Sequence, residues 1–164
     1  FPGFLMGFNP CKPTSVGNIQ ISSTDPLLPP KIYSNYLDTE YDKKMMIEGI
    51  RLIRRIANAP ALNSIIKDEL APGVGIKSET DIAKYIRQKA WSVFHPCSTC
   101  RMGGNPNVSV VDPKLRVHGV DNLRVVDASI FPTIPTGNIN APSIMVGEYA
   151  SDIILKDARN QKGL

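Results

Sequence analysis

Apolar residues recur at helical spacing from about Glu40 to Asn58 and from Glu79 to Lys89 and, between Gly103 and Val126, fall into short extended runs. The clearest helix is expected from about Glu40 to Asn58. Met46, Ile50, Ile53 and Ala57 repeat along it, Met45, Leu52 and Ile56 flank them, and Pro60 ends it. Ser78 precedes Asp81 by three residues, a spacing that suits an N-cap for a second helix, Glu79 to Lys89, with Ile82, Tyr85 and Ile86 toward a core. Ahead of these, Phe4 to Phe8 and Asn18 to Ser22 read as a hairpin-like pair, the second alternating Ile19 and Ile21 with polar neighbours. A proline-rich connection from Asp25 to Pro30 then leads to a short strand near Ile32. Trp91 to His95 reads as a strand that delivers His95 to its end.

Beyond Gly103 the extended pieces are Val108 to Val111, Leu115 to Val117 and Leu123 to Val126, with Asp127-Ala128-Ser129 just past a buried strand. Pro132 and Pro135 keep the next stretch irregular. Asn140 is expected to cap a last helix with Pro142 in its first turn, where a missing N–H costs nothing. Ile144, Met145, Tyr149, Ile153 and Ile154 carry that helix to about Ala158, and the tail Arg159 to Leu164 is expected to fray. No internal repeat or low-complexity segment interrupts the pattern.

Composition adds limits rather than chemistry. With 164 residues, 42% of them hydrophobic, the chain suffices for one globular domain with a packed core. The net charge of +4 comes from cations scattered along the sequence, and Lys43, Lys44, Arg51, Arg54 and Arg55 fall mostly on the outer face of one helix without an aromatic ladder. A nucleic-acid partner is therefore not expected. No apolar run approaches the ~18 residues of a membrane span, and no signal-peptide pattern opens the chain. Three cysteines, an odd number, argue against a disulfide framework and fit a reducing compartment, so the cytoplasm is the default expectation.

The candidate chemistry lies between His95 and Glu148. There His95-Pro96-Cys97-Ser98-Thr99-Cys100-Arg101-Met102-Gly103, Val125-Val126-Asp127-Ala128-Ser129 and Gly137-Asn138-Ile139-Asn140-Ala141-Pro142 follow in order. This set resembles the C-terminal signature of the glucose-methanol-choline family of flavin-dependent alcohol oxidoreductases. Pro13 to Gly17, Ser23 to Pro26 and Asn35-Tyr36-Leu37 resemble the start of the same region, so the likeness covers nearly the whole chain. It implies an α+β architecture, a mainly antiparallel sheet flanked by helices, whose C-terminal strand and helix pack on an FAD-binding domain absent from this chain. Residues 1–107 would be mainly substrate domain and 108–164 the segment returning to the FAD domain.

The family's dinucleotide-binding half needs a Gly-x-Gly-x-x-Gly turn between strand and helix, where bare backbone meets the pyrophosphate. The nearest string here, Gly73-Val74-Gly75-Ile76-Lys77-Ser78, lacks the third glycine and a preceding apolar strand, and reads as the loop into a helix cap. With no initial methionine, the chain is read as part of a longer enzyme. FAD is then expected to bind the complete enzyme and not this chain alone.

Taken locally, a lone histidine such as His95 reads as structural; within the motif, the resemblance implies a general base. Imidazole suits the role because it accepts a proton near neutral pH and then holds it. The resemblance likewise implies that Asn138 donates an amide hydrogen bond to the oxygen of a small alcohol substrate, where the local reading is a turn residue after Gly137. Val126, Asp127 and Ala128 are similar to the strand end that meets FAD, and Asn138, Ile139, Asn140, Ala141 and Pro142 to the helix start beside the flavin ring. Ser98 stands where the family usually has glycine. If that position needs φ > 0, the serine implies a shifted turn.

Two readings from other classes use the same residues. His95, Cys97 and Cys100 offer zinc-type ligands, with His118 or Cys11 to complete a set, although a second matched pair is missing. Cys97 and Cys100 also have dithiol spacing, against a reading as small packing residues. A non-catalytic interaction domain would instead need an exposed apolar face. His118 itself reads as a surface turn residue.

Overall fold

The computed structural model describes residues 2–161. Strands β1 (Asn18–Gln20) and β2 (Lys31–Tyr33) form a two-stranded sheet, and the helices are α1 (Glu40–Ala57), α2 (Pro60–Asn63), α3 (Glu79–Lys89) and α4 (Asn140–Gln161), with a 3-10 turn at Ala128–Ile130. The α+β class holds, with a smaller sheet than the pattern implied. β1 pairs with β2 and not with Phe4 to Phe8, which forms no strand. The Phe8 ring instead lies on α1, where a Cβ added to Gly49 would meet it at 1.8 Å. A mid-helix glycine, unfavourable by itself, is what admits this contact.

By its internal contacts the chain divides into two compact units, residues 1–17 with 31–93 and residues 18–30 with 94–164. In the first, α1 starts where Thr39 accepts from the N–H of Asp42. Glu40 and Asp42 lie in its first turn and Arg54 and Arg55 in its last, which suits the helix dipole. Its buried face, Ile47 and Ile50, packs on Ile82 and Ile86 of α3, with Phe8, Met46 and Tyr85 partly buried around them. Burying each isoleucine contributes about 1.5–3 kcal/mol. α3 begins at Ser78, whose hydroxyl accepts from Asp81 N–H at 3.1 Å, as its spacing predicts. Pro60 opens α2 after α1 has already ended at Ala57.

Arg54 departs from the expected outer face. Its guanidinium donates to both carboxylate oxygens of Glu69, to the Ile76 carbonyl at 2.7 Å and to the Gly73 carbonyl at 3.1 Å. The loop carrying Gly73-Val74-Gly75 is thereby tied to α1 and leads into the Ser78 cap.

The Pro13-Thr14-Ser15 segment acquires its reason from Asp42, a carboxylate only 2% exposed. Thr14 N–H and Ser15 N–H each donate to it at 2.8 Å, Ser15 Oγ at 2.5 Å and Thr14 Oγ1 at 3.1 Å. Burial pushes the carboxyl pKa up, but the Ser15 hydroxyl, the two N–H groups and the Thr14 hydroxyl together hold it below the ordinary value.

In the second unit the core is Val111, Leu115, Ile130, Phe131, Val146 and Ala150. The strands expected at 108–111, 115–117 and 123–126 are replaced by isolated bridges, Met102 to Val111, Val111 to Val117 and Arg116 to Arg124. Positive φ at Leu115, Gly119 and Asn122 reverses the chain before any ladder lengthens. α4 buries Val146 and Ala150 and leaves Ile144, Met145 and Tyr149 exposed, so its apolar residues are not all core residues. It continues through residues 159–161, where fraying was expected; residues 162–164 of that tail lie outside the described residues.

Candidate functional site

The segment before His95 is not a strand. Phe94 has φ +58, which breaks extended backbone, and His95 follows half-buried in irregular chain. Ser98 adopts φ +74, the left-handed conformation that favours glycine, so the serine accepts the strained geometry rather than moving the turn out of it. Past it, Cys100 N–H donates to the Ser129 carbonyl at 3.0 Å and Met102 N–H to the Ile130 carbonyl at 2.8 Å. These bonds stitch the histidine motif onto the 3-10 turn after Asp127. That turn is fixed by Asp127, which accepts from Ser129 N–H at 2.7 Å and Ser129 Oγ at 2.5 Å.

The third motif joins from the other side. Ile139, not Asn140, fills the cap position of α4: its carbonyl accepts from Ser143 N–H at 2.9 Å and Ser143 Oγ at 2.6 Å, and Asn140 is the first helical residue. The Asn140 expectation misses by one position: Asn140 is already helical, so the flanking residue whose carbonyl accepts the first intrahelical bond is Ile139. Asn138 and Ala141 are exposed at this helix end and Pro142 is half-buried. Cys97 and Met102 of the first motif, Val125 and Ala128 of the second and Ile139 of the third all pack against one buried cluster. The three motifs, far apart in sequence, thus share a core.

Ala128 and Ile139 give their side chains to that core and their carbonyls to Phe131 and Ser143, which leaves only their N–H groups to meet a ligand. The start of α4 presents helix N–H groups and a partial positive charge beside the exposed Asn138 amide. These donors suit an anionic or electron-rich acceptor such as a flavin ring, so the residues present fit FAD.

Cys97 and Cys100 are free and half-buried, and Cys97 Sγ lies 3.2 Å from Ser98 Oγ. Among the described residues no group of three or more His, Cys, Asp or Glu side chains is placed to hold a metal ion. The zinc reading of His95, Cys97 and Cys100 therefore has no assembled ligand set.

Two features escaped the sequence reading. Asp112 accepts from Lys114 N–H at 2.8 Å, Arg116 N–H at 2.9 Å and Arg116 Nε at 2.8 Å, and so holds Leu115 at φ +66. Burial raises its carboxyl pKa, but the N–H and guanidinium of Arg116 and the Lys114 N–H outweigh that and hold it low. The Asp112-Pro113 pair was the available turn signal. His118 is half-buried rather than at the surface, with Nε2 3.0 Å from the Gly103 carbonyl and 3.1 Å from Ser109 Oγ.

The family model described as GMC oxidoreductase matches residues 13–147. The chain is 44% identical over 154 residues to an oxygen-dependent choline dehydrogenase of Vibrio vulnificus (strain YJ016), covering 93% of this chain and 28% of that protein. Among solved structures, an FAD-dependent oxidoreductase from Chaetomium thermophilum matches with TM-score 0.86 and 31% identity over 91% of this chain and 26% of its own. A fungal aryl-alcohol oxidase matches with TM-score 0.83 and 32% identity, over 90% and 24% respectively. This chain belongs to the GMC oxidoreductase family, whose enzymes are FAD-dependent. It spans between a quarter and a third of the length of the curated relatives it matches. Among the described residues no helix is long and apolar enough to cross a membrane.

Proposed function

We propose that this chain is the substrate-side, C-terminal part of an FAD-dependent oxidoreductase that converts a small alcohol, choline-like or other, to a carbonyl. The observation that carries the reading is the convergence of the three motifs on one buried cluster within a single compact unit. Residues 1–107 mainly shape the substrate side, and residues 108–164 return toward the FAD domain of the complete enzyme.

The His95 imidazole takes the hydroxyl proton as the alcohol carbon loses hydride. The Asn138 amide donates to the alcohol oxygen and steadies the negative charge that develops there. Bound FAD supplies the hydride acceptor. Asp127 and Ala128 at the 3-10 turn, and Asn138, Ile139, Asn140 and Ala141 at the start of α4, would hold the flavin mostly through backbone N–H groups, with Pro142, which has none, offering only its ring to pack.

The test is anaerobic mixing of the complete, FAD-loaded enzyme with a panel of primary and secondary alcohols. Bleaching of the flavin absorbance by at least one alcohol is expected; an oxidised flavin throughout would overturn the reading. Purified alone, residues 1–164 are expected to retain no flavin, and a yellow preparation with stoichiometric FAD would show that the missing half is not required for binding.

A further inference from the structure

We propose that His118 is a positioning residue for His95, acting with Ser109 as a side-chain clamp on the last residue of the histidine motif, Gly103. The inference rests on the assignment of His95 as the proton acceptor and adds the group that fixes the loop bearing it.

Gly103 is held on both of its polar groups. Its N–H donates to the Val111 carbonyl at 2.9 Å, and its carbonyl faces Ser109 Oγ and His118 Nε2, each at 3.0 Å. A carbonyl only accepts, so Nε2 carries a proton, as it does in both that neutral tautomer and the imidazolium. The clamp therefore does not depend on the charge of His118. Ser109 Oγ also lies 2.6 Å from the Asn105 carbonyl, so its single proton is divided between two carbonyls, which makes His118 the stronger donor to Gly103 and Ser109 the weaker one. His118 is anchored in turn by its own N–H, which donates to the Val110 carbonyl at 2.9 Å.

The consequence for His95 follows from the order of anchors. Between His95 and Gly103 the chain bends through a left-handed Ser98, and its other backbone ties run from Cys100 and Met102 N–H to the 3-10 turn and from Val110 and Val111 N–H to the Arg101 carbonyl. Gly103 sits one residue past Met102. Releasing its carbonyl loosens the adjacent tie and lets the histidine loop shift, and a shift near 1 Å at a reacting group is worth about a hundredfold in rate.

The experiment uses the complete FAD-loaded enzyme with His118→Leu, which removes the donor, His118→Gln, whose amide nitrogen reaches the Nε2 position, and Ser109→Ala as a milder variant that keeps His118. Turnover per bound flavin should fall about 10–100-fold in His118→Leu, KM should change less than about threefold, and His118→Gln should recover most of the loss. Amide hydrogen exchange at Cys100 and Met102 should quicken in His118→Leu and return in His118→Gln. Normal turnover per flavin with normal exchange in His118→Leu would overturn the clamp, as would equal losses in the leucine and glutamine variants. If His118→Leu fails to fold, the proposal rests on Ser109→Ala, which must raise exchange at Met102 and lower turnover, or be wrong. Faster exchange with unchanged turnover, alongside full activity in His95→Ala, would instead retain the clamp and discard His95 as the base.

Discussion

In the first unit Ile47 and Ile50 of α1 meet Ile82 and Ile86 of α3, and both helices start at side-chain caps, Thr39 and Ser78. In the second, Val111, Leu115, Ile130 and Phe131 reach their core from irregular chain that bends through left-handed Phe94, Ser98, Leu115 and Asn122 before α4 begins. A helix points its side chains by its own period, so its core needs little beyond amphipathic spacing. Irregular chain has no period, and each direction change must be held by a specific bond: Asp127 to Ser129, Asp112 to Arg116, His118 to Gly103. The candidate catalytic histidine sits in that second kind of structure. Its aim is set by the surrounding bonds rather than by an element of its own, the usual arrangement for functional loops on a fixed frame.

This contrast can be broken most sharply at His95. In the complete enzyme His95→Ala should lower saturating turnover by about 10²–10⁴-fold with FAD retained, and Asn138→Ala by a smaller factor. Steady-state kinetics normalised to flavin absorbance checks both, and wild-type turnover in the His95 variant would remove it from the mechanism. Core truncations come next. Ile82→Ala in the first unit and Ile130→Ala in the second should each cost about 2–5 kcal/mol in denaturant unfolding. If the irregular unit is held chiefly by its bonds, Ile130→Ala should also quicken amide exchange at Met102, whose partner is the Ile130 carbonyl, while Ile82→Ala leaves that exchange unchanged.

A smaller effect is expected at Asp42. Asp42→Asn should destabilise by about 1–3 kcal/mol at neutral pH, because an amide nitrogen faces donors that need an acceptor. Since the folded carboxyl pKa is depressed, its contribution is complete above the unfolded value of about 3.9 and is lost as pH falls through the lower folded value. The gap between wild type and Asp42→Asn should therefore close in acid; a gap unchanged down to pH ~2 would exclude the ionised clamp. Smallest is Ser98→Gly, which should stabilise by roughly 0.5–1 kcal/mol by removing left-handed strain at a Cβ-bearing residue. A drop in melting temperature would show that the Ser98 hydroxyl, beside Cys97 Sγ, contributes more than the backbone strain costs.

The sequence by itself determined α3 and its Ser78 cap, the start of α1, the short strand at Ile32, the α+β class and the order of three motifs that mark the family. Those features are local: capping and amphipathic period act within a few residues, so spacing alone reveals them. Tertiary structure decided the rest. It turned Phe8 onto Gly49, drew Arg54 inward to Glu69 and the Gly73 loop, gave Thr14 and Ser15 to Asp42, and replaced the expected strands after Gly103 with single bridges. It also brought His118 from the expected surface turn onto the Gly103 carbonyl. Each of these joins groups far apart in the chain or fixes a left-handed residue. A hydrophobic pattern carries no record of which distant carbonyl will need a donor, and only the packed fold supplies that partner.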